Sequence, residues 1–190
     1  HQLEDQGNTL FPSSNEILHW ENKEYMHDEF KRLNIKSPLS YTIKNVEDLD
    51  GLNLNYPILL KYVHSYHSKG IYKMKSISEA KSFLNDYHIN NPNSVFIAQE
   101  LLNIRKDMRI IFVGSEIVLH YWRNNPSKDW RPTSTSYDSK VDFTTFPETW
   151  SNHITEQFLK LDISTGAFDL AFENDDLDNE PFFLEISSAY

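Results

Sequence analysis

Two apolar stretches near the end of the chain, GAFDLAF over 166–172 and PFFLEIS over 181–187, each carry one carboxylate, Asp169 and Glu185. An ionised carboxylate in an apolar strand is costly unless a cation or hydrogen-bond donors meet it. The link between the stretches, ENDDLDNE, is polar and turn-like. Side chains alternate along a strand, so Phe168, Leu170 and Phe172 share one face and Ala167, Asp169 and Ala171 the other. By the same alternation Phe182, Leu184 and Ile186 share a face, opposite Phe183, Glu185 and Ser187. A hairpin centred near Leu177 sets Asp169 against Glu185. Directly opposed side chains have Cβ atoms roughly 5 Å apart, and like charges there repel. A shared divalent cation removes the repulsion, and Mg²⁺ suits the pattern: one or two carboxylates, waters and substrate phosphate oxygens. Two solvated carboxylates on an exposed hairpin face are the alternative.

The rest of the chain alternates strand pairs with helices. NKEYMHDEFKRL sets Tyr25, Met26, Phe30 and Leu33 at helical spacing. YPILLKYV reads as a strand, and SISEAKSFLNDY as a helix with a Ser76/Glu79 capping box and an apolar face of Ala80, Phe83, Leu84 and Tyr87. SVFIAQELL is a strand leading into a connector. DMRIIFVG and EIVLHYW form a hairpin at Gly114, followed by a long polar loop. TWSNHITEQFLKLD is a helix with Trp150, Ile154, Phe158 and Leu161 on one side. This order predicts an α+β fold with mainly antiparallel sheets.

The chain has 190 residues, 39% hydrophobic and 14% aromatic, enough for one domain or two small lobes with a real core. A net charge of −10 argues against nucleic acid as a partner. No apolar run is long enough to span a membrane and no signal peptide is evident, so the expectation is a cytoplasmic protein with no membrane partner. The first residue is His1, not Met, which suggests a fragment that lacks an upstream domain. The absence of cysteine removes thiol catalysis and cysteine zinc sites. His64, His67, His88, His120 and His153 show no metal-ligand spacing, and no G-x-S-x-G elbow is present.

Lys61 sits inside an apolar strand, either as an edge lysine reaching for water or as a phosphate ligand. Lys69 and Gly70 follow in a polar loop whose amides could hold phosphate. Asp107 and Arg109 share a strand face with Ile111 and Val113. Arg123 begins the long polar loop and Arg131 lies within it, a pair suited to clamping an anion.

In order and spacing these segments resemble the ATP-grasp superfamily over nearly the whole chain. FPSSNEILHWENKEYMHDEFKRLNIKSPLSYTI resembles its entry segment, YPILLKYVHSYHSKGIYKM its phosphate-binding strand and loop, and VFIAQELL its hinge strand. DMRIIFVGSEIVLHYWR resembles the following hairpin, and GAFDLAF with PFFLEISSAY the metal-binding pair, usually written D…E-x-N. The resemblance implies two lobes with flanking helices: a connector over 1–20, a small lobe over 21–98 and a large lobe over 99–190. It implies ATP and Mg²⁺ as cofactors. Lys61, and less directly Lys23, would meet the phosphates; Lys69 and Gly70 would belong to the loop that covers them. Gln99, Glu100, Leu101 and Leu102 would line the adenine slot, and Asp107 would contact ribose or substrate. Arg109, Arg123 and Arg131 would serve the γ-phosphate and acyl phosphate. Asp169 and Glu185 would hold Mg²⁺, with Ser187 where an Asn is usual. The sequence departs from the pattern there, in the HSYHSKG loop and at Pro132.

The implied reaction joins a carboxylate to an amine through an acyl phosphate, with a small molecule or peptide as substrate. A small-molecule kinase on the same fold and a nucleotide-binding module without turnover are the rival readings. Homo-oligomer formation stays open.

Overall fold

Short β-rich runs separated by polar turns give two antiparallel sheets. The computed structural model describes residues 2–64, 70–127, 129–133 and 139–188. In the smaller sheet, β1 (Ser40–Ile43), β2 (Ile58–Tyr62), β3 (Ile71–Met74) and β4 (Phe96–Glu100) run in the order β1-β4-β2-β3. Helix α3 (Ile77–Asn90) buries Ala80 and Leu84 against Ile43, Ile58, Leu60 and Phe96, with Phe83 and Tyr87 packed alongside. Its capping box is half formed. The Ser76 hydroxyl accepts the Glu79 N–H at 3.2 Å, whereas the Glu79 carboxylate reaches past Ser76 to the Lys75 N–H at 2.6 Å.

The larger sheet holds β5 (Lys106–Val113), β6 (Glu116–Asn124), β7 (Lys140–Asp142), β8 (Thr165–Ala171) and β9 (Phe182–Ser187), in the order β7-β6-β5-β8-β9. Gly114, at φ 62°, turns the chain between β5 and β6 where a side chain would be strained. Helix α4 (Ser151–Leu159) covers one face; Phe158 stacks on Phe112 with ring centroids 4.3 Å apart. No helix among the described residues is long and apolar enough to cross a membrane.

Two helices precede the small sheet. The segment 1–20, expected as a connector, contains most of α1 (Ser14–Glu21). Its start is a full capping box between Ser13 and Glu16, and buried Glu16 also accepts the Ser164 N–H at 2.9 Å. Helix α2 (Lys23–Arg32) sends Met26 and Phe30 into the core of the larger sheet with Phe168, Phe183 and Ile186. Thus the linear boundary at 21 does not follow the packing: α2 precedes the small sheet in sequence and is built onto the large one. Gln99 and Glu100 likewise belong to β4 of the small sheet, and residues 101–105 link the two sheets.

The closing hairpin pairs Asp169 with Glu185, as the alternation predicts, and then departs from it. Leu170 pairs with Phe183 and Ala171 with Phe182, so Leu184 is an extra residue, a β-bulge. The bulge reverses the faces beyond it. Phe183, expected beside Glu185, is fully buried in the core with Ile186, while Leu184 and Glu185 both line the cleft described next.

Candidate active site

Between the two sheets lies a cleft of about 260 Å³. It collects Lys23, Lys61, Gln99, Glu100, Leu101, Leu102, Asp107, Arg109, Arg123, Arg131, Asp169, Glu185 and Ser187, residues drawn from α2, both sheets, the linker and the long loop. One expected residue, Gly70, is not among its described walls. Gly70, at φ 74°, accepts the Tyr62 N–H at 2.9 Å just before β3. Lys69, with most of the expected phosphate loop, lies outside the described residues.

Strand register sets the charges. Arg109 on β5 stands opposite Asp169 on β8, and Asp107 stands opposite Arg123 on β6. Arg109 grips Asp169 through Nε at 2.7 Å and Nη2 at 2.8 Å. Arg123 grips Asp107 through Nε at 2.8 Å and Nη2 at 2.7 Å, and its Nη2 also reaches Asp169 Oδ2 at 2.8 Å. The Thr133 hydroxyl donates to Asp107 Oδ2 and ties the long loop to this row. Beside it, Lys23 Nζ lies 3.1 Å from Glu185 Oε1. The repulsion expected between Asp169 and Glu185 is therefore met inside the protein by arginines and a lysine. Burial would raise Asp169, but Arg123 and Arg109 outweigh it and hold its pKa at about 2. Burial dominates at Asp107 and pushes it up despite Arg123.

Lys61 differs. It lies on β2, a central strand and not an edge, so an exit to water along the sheet edge does not apply. The residue is largely buried and lines the cleft, and its ammonium makes no hydrogen bond or ion pair within contact distance among the described residues. Burial lowers its pKa, partly countered by the field of Glu185. One turn after Lys23, His27 is buried on the same side of α2, with Gln99 Nε2 3.5 Å from its Nε2. Burial, with Lys61 and Lys23 nearby, pushes His27 down to about 3, so it is neutral. Gln99 also donates to Ser40 Oγ at 2.9 Å. The Glu100 carboxylate accepts the Leu39 N–H at 2.7 Å, and Arg131 Nε donates to Asn125 Oδ1 at 3.2 Å.

Solved structures share this fold. The ATP-grasp ligase PsnB complexed with a minimal precursor aligns with a TM-score of 0.66 at 15% identity, covering 98% of this chain and 58% of that one. Phosphoribosylamine–glycine ligase from Thermotoga maritima gives 0.70 at 16% identity, covering 91% and 48%. D-alanine–D-alanine ligase from Bacillus anthracis complexed with ATP gives 0.66 at 11% identity, covering 88% and 54%.

The chain has the ATP-grasp fold. It spans roughly half of each of those chains' own lengths (58%, 48% and 54%). No protein-family model matches it. A stretch of 77 residues is 38% identical to anaphase-promoting complex subunit 1 of Dictyostelium discoideum, over 34% of this chain and 3% of that protein.

On this ATP-grasp frame the opposed carboxylates can be tested as a Mg²⁺ site. Among the described residues no three His, Asp or Glu side chains converge as a protein-only metal cage. Asp169 and Glu185 are nevertheless opposite each other, and the Ser187 hydroxyl is buried beside them without a hydrogen-bond partner. That donor set fits a Mg²⁺ that brings its remaining ligands on phosphate oxygens. Several cleft residues were not foreseen: Thr133, Trp130, Tyr121, Trp20 and Leu184. Trp20 could have been found from the Ser13–Glu16 helix start. Thr133, Trp130 and Leu184 depend on a loop path and a bulge for which the sequence carries no periodic signal.

Proposed function

We propose that this protein is an ATP- and Mg²⁺-dependent ligase that joins a carboxylate to an amine. Lys61 carries the reading. A largely buried lysine with no ion-pair partner in a cleft is unfavourable unless an anion arrives to meet it, and here the ATP-grasp fold, the opposed carboxylates and the apolar linker surround it. We assign Lys61 and Lys23 to the phosphates, with Lys69 and Gly70 in the loop over them. Gln99, Glu100, Leu101 and Leu102 form the base slot. Mg²⁺ would be held by Asp169, Glu185 and the Ser187 hydroxyl, where it would neutralise phosphate charge. Arg131 and the carboxylate-held Arg109 and Arg123 orient the transferring group, and Asp107 fixes Arg123.

In the reaction, a carboxylate oxygen attacks the γ-phosphorus as the bond to ADP breaks, giving an acyl phosphate. An amine nitrogen then attacks the carbonyl carbon, phosphate leaves and the nitrogen loses a proton. The protein positions these groups and meets developing charge with fixed cations. The partner is a small molecule or a short peptide; PsnB, one of the similar structures, is complexed with a precursor peptide.

The test is phosphate release from Mg·ATP across a panel of amino acids and short peptides, with hydroxylamine as a trap. Acceptor-dependent release together with hydroxamate formation is expected. Phosphate transfer to a hydroxyl without hydroxamate would instead establish a kinase. Nucleotide binding without any turnover would leave a binding module.

A further inference from the structure

The connection between β8 and β9 contains two consecutive non-glycine residues in the left-handed region, Asn174 at φ 60° and Asp175 at φ 57°. Asn and Asp tolerate this region as single residues, whereas a consecutive pair persists where its surroundings over-determine it. Those surroundings are the linker between the two sheets. The Asn103 N–H donates to Glu173 Oε1 at 3.2 Å, and the Asn174 N–H donates to the Asn103 carbonyl at 2.9 Å. Asn103 Nδ2 donates to Asn174 Oδ1 at 2.7 Å. Asp175 accepts the Arg105 N–H at 3.1 and 3.2 Å and the Lys106 N–H at 3.3 Å. On its other side the same linker presents Leu101, Leu102 and Ile104 to the cleft.

We infer that Asn174 and Asp175 are positioning residues for nucleotide binding: they clamp the linker from behind and hold its backbone in the form that meets the base. This deepens the proposed function and rests on it. The physical reason is preorganisation. A linker between two sheets has no ladder of its own, and ordering it on binding would weaken affinity. The clamp orders it beforehand. One hairpin thereby serves both ends of the nucleotide, with Asp169 and Glu185 along its strands and the clamp at its turn.

Asp175→Gly tests this, because glycine keeps the left-handed turn and removes the carboxylate. Asp175→Asn keeps an acceptor oxygen in a residue that tolerates the turn. The probes are non-hydrolysable ATP and GTP analogues with Mg²⁺, and amide exchange over residues 101–106 of the free protein. Asp175→Gly is expected to speed exchange there and to weaken the ATP analogue about tenfold, narrowing its preference over the GTP analogue. Asp175→Asn should stay within about twofold of wild type. If Asp175→Gly fails to fold, Asn174→Gly supplies the same comparison. Unchanged affinity and preference in the glycine variant, whatever exchange does, would overturn the positioning role alone. Failure of the wild-type protein to bind either analogue would overturn the nucleotide reading and this inference with it.

Discussion

Lys61 and Arg123 are buried to nearly the same extent, 8% and 7% exposed, and face one cleft from opposite sheets. Their surroundings differ in kind. Arg123 is bonded to two carboxylates within the larger sheet, and Arg109 grips one of them from the other side. Lys61, on the smaller sheet, has neighbours that act on it only through their fields. One wall of the cleft is thus electrostatically complete, and the other holds a charge that an incoming anion can complete. Cross-strand register explains the first: cations and carboxylates on adjacent antiparallel strands stand opposite each other. Position on a central strand explains the second, since Lys61 has no route to water along an edge.

Arg123→Leu should break the complete wall and have the largest effect. It leaves Asp107 buried with only the Thr133 hydroxyl, and the expected loss is about 3–5 kcal/mol in urea denaturation. Lys61→Met should behave in the opposite way, with no loss of stability but a roughly 10–100-fold weaker grip on a non-hydrolysable Mg·ATP analogue, read by calorimetry. Equal destabilisation by the two substitutions would erase the contrast between the walls. The smallest effect concerns His27, beneath both lysines. Its pKa is lowered from the ordinary 6.5 to about 3, so between these values the unfolded chain takes up a proton that the folded chain does not. The contribution is whole above the ordinary value and is lost as pH falls, on the order of 1 kcal/mol per pH unit. His27→Gln should flatten the denaturation midpoint over that window relative to wild type.

Much of the fold was legible because it rests on local pattern. Helices α2, α3 and α4 follow from apolar spacing, and the β5–β6 hairpin from Gly114. The pairing of Asp169 with Glu185 follows from two strands of matched length around a polar turn. Helix α1 is readable from its Ser13–Glu16 capping box, but the turn residues that precede it make 1–20 read as a connector. The bulge at Leu184 was not legible: alternation assumes an uninterrupted ladder, and one inserted residue moves Phe183 into the core. The clamp of Asp175 on the linker was hidden for a similar reason, since its partners are backbone amides far away in sequence.

The sequence shows which residues carry charge into apolar strands, and hence that Lys61, Asp169 and Glu185 must either reach water or find partners. Periodicity and alternation are local properties, so the strands and helices that carry those charges were readable too. Only the tertiary structure decided which charge meets which. Register sets Arg109 against Asp169 and Arg123 against Asp107, while packing brings α2 and Lys23 onto Glu185. Lys61 alone of these groups makes no ion pair among the described residues, because its own sheet places no carboxylate against it.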